Sequence, residues 1–242
     1  MSMRRAERNT NRERTTGAAL RGAGLGLCAL ALAIAPSATA HEAGTFFMRL
    51  GPTQVSPNDS SSAVAVNGTP VAGTGVTLDA GEALGVTFNY MLTDRIGVEL
   101  LASTPFTHQI GGEGLGIADI GEVTHLPPTV SVQFYPRAPS ARLQPYVGVG
   151  LNYLLSYDAD PSNELEAALG DASIDVDDGF GFAAQLGVDY RLSERWSLNA
   201  ALWYIDLDVD ATIETQTAGF ERLDVGIDVN PYAWMIGTSY RF

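Results

Sequence analysis

The sequence predicts an all-β fold, an eight-stranded antiparallel up-and-down β-barrel whose strands span a membrane. The first observation is the last fifteen residues, 228–242, in which aromatic and branched side chains alternate with small or polar ones. Strict alternation has the period of a β-strand. An apolar face opposite a small and polar face is typical of a strand between lipid and a packed lumen. The second observation is that seven further segments repeat the alternation, joined by three short turns and four long loops.

Residues 1–40 predict a secretory signal peptide that is removed from the mature chain. Six arginines accompany an apolar run at 25–35, and Ala38-Thr39-Ala40 forms a small-residue cleavage site. The run is too short for a membrane helix, which needs ~20 apolar residues. The mature chain, residues 41–242, is therefore expected to be one barrel domain. It has no cysteine, because Cys28 lies in the leader, and this excludes thiolate metal sites and thiol redox chemistry.

The charge of the mature chain is strongly negative. The whole sequence has 14 basic and 28 acidic residues and no lysine. Removal of the leader takes away six arginines and two glutamates, which leaves a formal charge near −18. Nucleic-acid binding depends on cationic contacts to phosphate, so this class of partner is excluded. Hydrated acidic loops at the outer face of an envelope are the better interpretation.

The first four predicted strands are recognised by alternation and by the residues that limit them. In the first, Phe46, Met48 and Leu50 share one face. The second and third are separated only by a tight turn. Pro127 and Pro128 must lie at the start of the fourth, because proline donates no hydrogen bond to a ladder. These strands are 41–51, 81–92, 95–104 and 126–135.

The last four predicted strands follow the same rule. The fifth has the clearest alternation, and its inward-facing glycines leave room inside a narrow barrel. The strands are 142–157, 179–192, 195–211 and 228–242. The long connections are predicted as loops at 52–80, 105–123, 158–178 and 212–226, with a short hairpin around 63–66 and a short capped helix at 162–170. Short turns on one side and long loops on the other are typical of bacterial outer-membrane barrels.

A soluble eight-stranded barrel of the lipocalin kind is the competing fold, and it would place its apolar face inside. In this sequence one face of the strands is the more polar one, which favours a lumen surrounded by lipid. The polar residues on that face are Arg49, Arg95, Glu99, Asn152, Gln185, Asp189, Asn199 and Arg241.

Several motifs make the mature chain similar to the outer membrane protein W family over nearly its whole length, more weakly in the first and third loops and at 212–225. The motifs are HEAG at 41–44, FFMR at 46–49, IGVELLA at 96–102, TPF at 104–106, HLPPT at 125–129, PYVG at 145–148, GVDY at 187–190, WYID at 203–206 and YRF at 240–242.

The resemblance implies an eight-stranded barrel in the bacterial outer membrane. It also implies a narrow hydrophobic channel that passes small hydrophobic molecules toward a lateral exit into the bilayer. Alkane-uptake porins are relatives of this family, and some members are colicin receptors. A closing strand that ends in Phe242, with Tyr240 two residues earlier, implies a signal that the barrel-assembly machinery reads.

The family's hydrophobic gate matches Leu101 and Trp203, which fall on faces that are otherwise largely small or polar. Phe47, Leu154 and Ile205 share those faces and complete the predicted hydrophobic lumen. The alternative is that all five side chains simply fill an eight-stranded interior, which is just wide enough to be filled.

Five charged residues on the inward face predict a polar plug in the lumen, and a proton or ion pathway is the alternative use of such groups. Inward charges in a small barrel are more often paired structural elements. The predicted plug residues are Arg49, Arg95, Glu99, Asp189 and Arg241.

Other chemistries are weaker in the sequence. Asp158, Asp160, Asn163 and Glu164, or Asp175, Asp177 and Asp178, could bind calcium, but neither run has the pattern of an EF-hand loop. A solvated loop bridged by divalent ions to lipopolysaccharide phosphates is the preferred interpretation. His108 and His125 have no metal-site spacing. A lipid-modifying enzyme would need Ser103 with one of these histidines, and no nucleophile motif surrounds Ser103.

The sequence therefore predicts a non-enzymatic outer-membrane channel for small hydrophobic molecules, with no cofactor and no metal. Its expected partners are outer-membrane lipid and lipopolysaccharide, the barrel-assembly machinery and the solutes themselves. A structural or receptor barrel without transport is the alternative.

Overall fold

The computed structural model describes residues 41–242, so the predicted signal peptide lies outside the described residues. In chain order the elements are β1 Phe46–Ser56, β2 Ser60–Ser61, β3 Ala65–Val66, β4 Thr69–Pro70, β5 Gly75–Leu78, β6 Gly81–Met91, β7 Ile96–Ser103, β8 Phe106–Glu113, β9 Asp119–Leu126, β10 Thr129–Phe134, β11 Leu143–Pro161, α1 Asn163–Leu169, β12 Ala172–Val176, β13 Gly179–Arg191, β14 Trp196–Asp206, β15 Asp208–Thr215, β16 Arg222–Asp228 and β17 Tyr232–Arg241. Among residues 41–242, no helix is long and apolar enough to cross a membrane.

Eight of these strands form a closed antiparallel barrel. Its order is β1, β6, β7, β10, β11, β13, β14 and β17, and β17 pairs back onto β1. Each strand pairs with its neighbour along the barrel path, so the predicted up-and-down topology is confirmed. At the closing seam Gly51 and Gly237 lie back to back, and a Cβ on Gly51 would stand 2.3 Å from the carbonyl oxygen of Ile236. Glycine at this position allows the first and last strands to approach.

The outer surface of the barrel is apolar and carries aromatic residues at both ends of the strands. Val149 and Phe182 are 69% and 71% exposed, as expected for side chains that face lipid. At the short-turn end, Phe242 packs against Phe46 with ring centroids 5.3 Å apart. At the opposite end, Tyr204 and Tyr232 lie 5.2 Å apart. Two aromatic girdles are typical of outer-membrane barrels, because these rings prefer the membrane interfaces.

The long connections contain strands, which corrects the loops predicted at 52–80, 105–123, 158–178 and 212–226. The hairpin of β8 and β9 extends the barrel wall by pairing with the far end of β11, which runs on to Pro161. A second sheet has the order β12, β15, β16, β3 and β4. The predicted seventh strand is also divided at Leu207, whose backbone N–H donates to Asn230 Oδ1 and not to a ladder partner in the barrel.

The short helix predicted in the third connection is confirmed as α1. Ser162 caps its start, since the Ser162 hydroxyl accepts a hydrogen bond from the Leu165 backbone N–H at 3.0 Å. Gly170 ends it with φ of 74°, a conformation that favours glycine. Leu165 and Leu169 are the buried residues of the helix and pack into the apolar core of the extension.

The interior changes character along the barrel axis. At the short-turn end, four large side chains form a buried cluster: Phe47, Met91, Tyr135 and Tyr146. A charged layer follows at the level of Arg49. Above it lies a second buried cluster, called the floor from here on, made of Val55, Leu101, Phe106, Ala201, Trp203, Ala233 and Met235. The extension beyond the floor has its own apolar core, which surrounds the candidate site.

Candidate functional site

An apolar cavity lies above the floor and reaches into the extension. Its volume is about 80 Å³, several times the 10–15 Å³ or so that one water molecule needs by the same measure. Side chains of the barrel and of both external sheets line it, among them Val55, Val76, Leu101, Phe106, Ile110, Leu154, Ile205 and Val225. No Asp, Glu or Arg is among the residues that line the cavity. The space therefore suits an uncharged, mostly apolar molecule.

The structure brings together four of the five predicted hydrophobic lumen residues. Leu101, Leu154 and Ile205 line the cavity. Trp203 is fully buried in the floor and pairs in register with Gln185, which belongs to the charged layer below. Phe47 lies elsewhere, on the far side of the charged layer, in the cluster at the short-turn end. Phe47 therefore faces inward like the other four residues, but it lies nearer the short-turn end of the barrel and does not reach the cavity.

Arg49 is the centre of the charged layer, which we call the polar plug. Its guanidinium donates to both carboxylate oxygens of Asp189, at 3.1 and 2.7 Å, and to Glu99 Oε2 at 2.6 Å. Further hydrogen bonds run to Asn89 Oδ1 and to the Tyr135 hydroxyl, both at 2.9 Å. Arg49, Glu99 and Asp189 are all buried. A bidentate, fully enclosed pair of this kind is among the stronger polar contacts in proteins.

Amide side chains and an aromatic ring around Arg49, Glu99 and Asp189 complete the plug. Gln185 Nε2 donates to Glu99 Oε1 at 2.8 Å, and Asn199 Nδ2 donates to Asp189 Oδ1 at 2.9 Å. The ring of Tyr146 lies 4.5 Å from the Arg49 guanidinium carbon, close enough for a cation–π contact. Gly187 makes room for this ring, because a Cβ there would stand 2.3 Å from it. Together these groups fill the lumen below the floor.

Two residues predicted for the plug lie outside it. Arg95 is exposed in the turn between β6 and β7, so its prediction as an inward-facing residue is wrong. The strand begins one residue later than predicted, and alternation has no meaning in the turn. Arg241 is half-buried near the end of β17, where it faces Phe47 in register, and it takes no part in the hydrogen bonds of Arg49 described above.

The sequence did not indicate all members of the plug. His41 is buried and its Nε2 lies 3.1 Å from Asp189 Oδ2, while its ring packs on Phe47 and Tyr135. Tyr135 follows the last residue of β10 and is fully buried. Both residues lie beyond the end of a regular strand, where the inward and outward pattern cannot be extrapolated. The HEAG motif at 41–44 was the available signal for His41.

The barrel wall is discontinuous beside the cavity. Pairing of β7 with β10 ends at Leu101 and Thr129. Between Ser103 and the start of the hairpin at Phe106, no backbone pairing within the described chain joins this edge to residues 126–128. Pro127 and Pro128 occupy the opposite side of the gap and have no N–H to donate. Pro127 also lines the cavity, so the gap and the cavity share a wall.

The sequence and the barrel fold of this chain have counterparts among known proteins. Residues 42–242 match the sequence profile of the OmpW family. The chain belongs to the OmpW family. Outer membrane protein W of Vibrio cholerae serotype O1 is 39% identical over 222 residues, which cover 89% of this chain and 98% of the relative. The present chain is accordingly an outer-membrane β-barrel protein of a bacterium.

Solved structures of similar proteins agree with the fold. The crystal structure of OprG from Pseudomonas aeruginosa has a TM-score of 0.81 at 39% identity, covering 84% of this chain and 98% of OprG. The solid-state NMR structure of AlkL in DMPC bilayers has a TM-score of 0.61 at 25% identity, covering 84% of this chain and 92% of AlkL. The outer-membrane location and the closed barrel predicted from the sequence are confirmed.

In this OmpW-family barrel two histidines lie side by side in the cavity wall, at the root of the external hairpin. The rings of His108 and His125 are stacked, with centroids 4.9 Å apart and planes 2° apart. His108 Nδ1 lies 2.5 Å from the carbonyl oxygen of Asp79. Burial lowers the pKa of His108, against the opposing effect of that hydrogen bond. Burial also lowers the pKa of His125, to about 3, and repulsion from His108 adds to the effect.

We expect the hairpin of β8 and β9 to loosen as the pH falls below the usual histidine pKa of about 6.5. Because the native pKa values are lowered, the open form binds more protons, and native stability is lost between pH 6.5 and about 3. Each of the two histidines can raise the ratio of open to closed hairpin by up to about tenfold per pH unit within the window in which only the open form binds its proton. Hydrogen exchange of residues 106–126 at pH 7 and pH 5, corrected for intrinsic rates, measures this ratio. His125→Phe should reduce the pH dependence, and an unchanged dependence would contradict the assignment.

Acidic side chains cluster on the outer sheet and line a shallow depression there. Asp177, Asp178, Asp208, Asp210 and Asp228 contribute to it. Desolvation raises the pKa of Asp208, and the facing Asp228 raises it further. Within residues 41–242, no three His, Cys, Asp or Glu side chains are grouped so that they could hold a metal ion. A hydrated acidic surface remains the interpretation of these residues.

The residues weighed for an enzyme do not form a nucleophile and base pair. Ser103 Oγ is buried and has no hydrogen-bond partner within the described chain, so neither His108 nor His125 contacts it through a hydrogen bond. Nucleophilic catalysis requires such a contact. Named relatives such as outer membrane protein W are outer-membrane proteins.

Proposed function

We propose that this protein is an outer-membrane channel for small hydrophobic molecules. The solute enters the apolar cavity from the external side and leaves sideways into the bilayer. The observation that carries the proposal is an apolar cavity placed above a charged plug and beside a gap in the barrel wall.

The plug supports a lateral route and argues against an axial one. Arg49, Glu99 and Asp189 are buried and joined by short hydrogen bonds across the lumen. An apolar solute moving along the axis would have to separate these charges in a dry interior, which costs several kcal/mol. A solute moving sideways passes uncharged side chains such as Leu101 and Pro127 before it reaches the bilayer, so the gap is the route of lower cost.

The gap supports release into lipid because it can widen without breaking a ladder. Residues 127 and 128 are prolines and 102–103 pair only with β6. Separation of the two edges therefore loses side-chain packing but no backbone hydrogen bonds between them. Leu101 lies at the last paired position and would act as the gate, with Trp203 supporting it from the floor.

Uptake of n-octane by a Gram-negative deletion strain tests the proposal. Cells that express the native protein should take up n-octane faster than cells with an empty vector. Leu154→Trp, which fills the cavity, should bring the rate close to that of the vector. Leu151→Trp is the matched control, since Leu151 lies on the same strand but faces lipid and is 58% exposed. Folding is verified by heat-modifiable gel migration.

Two results would overturn the proposal. One is a native protein that does not accelerate uptake at all. The other is a Leu154→Trp variant that is folded and as active as Leu151→Trp. Either result would favour the alternative of a structural or receptor barrel, for which the ordered, acidic outer sheet would be the exposed surface.

Partners follow from the same proposal. Outer-membrane lipid contacts the apolar barrel surface, and lipopolysaccharide phosphates meet the acidic outer sheet through divalent ions. Phe242 is 68% exposed and its backbone N–H donates to the Phe46 carbonyl oxygen. The exposed Phe242 ring at the seam, with Tyr240 beside it, is available for recognition by the barrel-assembly machinery.

A further inference from the structure

Three buried polar atoms in the wall of the cavity have no partner in the described chain. They are Ser103 Oγ, Asn152 Oδ1 and Ser156 Oγ, and all three residues line the cavity. Asn152 is fully buried. A buried polar atom without a hydrogen bond is destabilising, and native structures contain few of them. Three in one small cavity indicate that something other than the protein completes them.

These atoms lie on one side of the cavity. Asn152 and Ser156 are on β11, and Ser156 faces His125 of β9 in register. Asn152 faces Thr129 of β10, which in turn faces Leu101 of β7, the strand of Ser103. The polar wall thus follows the strands that border the gap. The remaining lining is almost entirely apolar.

The chemistry of the three atoms selects the kind of group that fits. Asn152 Nδ2 already donates to the Pro127 carbonyl and to Thr129 Oγ1, so Oδ1 can only accept. The two serine hydroxyls can donate or accept. A ligand must therefore offer a hydrogen-bond donor to Asn152 and can also accept from a serine. A neutral hydroxyl can do either, whereas a carboxylate finds no arginine in this wall.

We propose that the cavity is selective for aliphatic alcohols of medium chain length over alkanes and ethers. The hydroxyl group hydrogen-bonds to one of Ser103, Asn152 and Ser156 at a time, and the alkyl chain packs against Leu154 and Ile205. This inference rests on the proposed channel function and names the solute class of the same cavity. It concerns preference, so it fails separately from transport itself.

Two isomers and one alkane test the preference. 1-Octanol and 1-methoxyheptane have the same formula, but only the alcohol donates a hydrogen bond, and n-octane has no polar atom. Initial uptake rates are measured in deletion cells that express each variant, after subtraction of the empty-vector rate. The variant is Ser103→Ala with Ser156→Ala. Because neither hydroxyl has a partner in the protein, their removal breaks no internal hydrogen bond and should not reduce folding.

Ser131→Ala is the matched control. Ser131 Oγ is also buried and without a partner in the described chain, but Ser131 does not line the cavity. The native protein and Ser131→Ala should both take up the alcohol faster than the ether, because Asn152 Oδ1 accepts a hydrogen bond and cannot donate one. They should also show the same alcohol-to-octane rate ratio, well above one, because a serine hydroxyl can bind an alcohol and not an alkane. The double variant should lower that ratio roughly threefold to tenfold, which corresponds to about 0.7–1.4 kcal/mol, the loss of one hydrogen bond per bound solute.

The outcomes separate the two proposals. Equal acceleration of all three solutes, with no effect of the double variant, overturns the alcohol preference and leaves the channel in place; it would mean that water completes the wall. The alcohol preference is also overturned if Ser131→Ala lowers the ratio as much as the double variant does. No acceleration of any solute by the folded native protein overturns the channel function itself.

Discussion

Replacement of Arg49 by methionine is expected to destabilise the folded barrel by about 3–5 kcal/mol. The change removes the one cation that Asp189 and Glu99 share and leaves two carboxylates in a buried site. Loss of a whole buried ion pair is much less costly than loss of one partner. Urea unfolding of the protein in lipid vesicles, followed by heat-modifiable gel migration, measures the change.

Two further variants make the Arg49 prediction specific. Arg222→Met removes an exposed arginine that bonds Asp224 at 2.8 Å, and it should cost about 0–1 kcal/mol. The triple variant Arg49→Met, Glu99→Gln, Asp189→Asn removes all three charges and should recover much of the lost stability. A loss in Arg49→Met no larger than that in Arg222→Met, or a triple variant less stable than Arg49→Met, would show that charge balance does not hold the plug together.

The barrel itself could be predicted because lipid reverses the usual burial pattern. Residues such as Val149 and Phe182 are apolar and exposed, while Arg49 and Glu99 are polar and buried. Alternation records this reversal at every second position along each strand, so the eight strands and the polar face follow from the sequence. The polar plug follows in part, since Arg49, Glu99 and Asp189 share the inward face.

The external layer could not be predicted from composition, although its strands also alternate. In β8, Phe106, His108 and Ile110 are buried while Thr107 and Gln109 are exposed. The many glycines of 105–123 favoured a loop and outweighed this signal. The composition is compatible with strands because the hairpin pairs with β5 and with the extended end of β11. Pairing between strands that are far apart in the chain leaves no local pattern in the sequence.

The sequence pattern also did not indicate the height of a residue along the barrel axis. Phe47 and Trp203 both face inward, but Phe47 lies below the plug and Trp203 above it. Only the register between strands fixes that difference, and register depends on the turns and on pairing across the closing seam. The unpartnered atoms of Ser103 and Ser156 are likewise visible only when the cavity around them is known.

Trp203→Ala is expected to lower stability and to change which solutes enter. The second effect shows whether Trp203 supports the gate or only fills space in the floor. Removal of a fully buried tryptophan leaves a hole in the floor and should cost about 3–5 kcal/mol of stability. If Trp203 supports the gate at Leu101, the variant should also admit bulkier solutes, such as adamantane, that the native protein takes up slowly. Uptake of adamantane and n-octane by deletion cells measures this selectivity.

Trp234→Ala is the control, since Trp234 faces lipid and its Nε1 donates to Gln54 Oε1 at the surface. It should leave the adamantane-to-octane ratio unchanged. A Trp203→Ala variant that is destabilised but keeps the native ratio would show that Trp203 only fills space. Planar-bilayer conductance distinguishes exit along the barrel axis from exit through the wall, because the plug closes the lumen below the floor. Trp203→Ala should not conduct ions while Arg49 holds Asp189 and Glu99, so a bulkier solute that enters without an ion current must leave through the wall of the barrel.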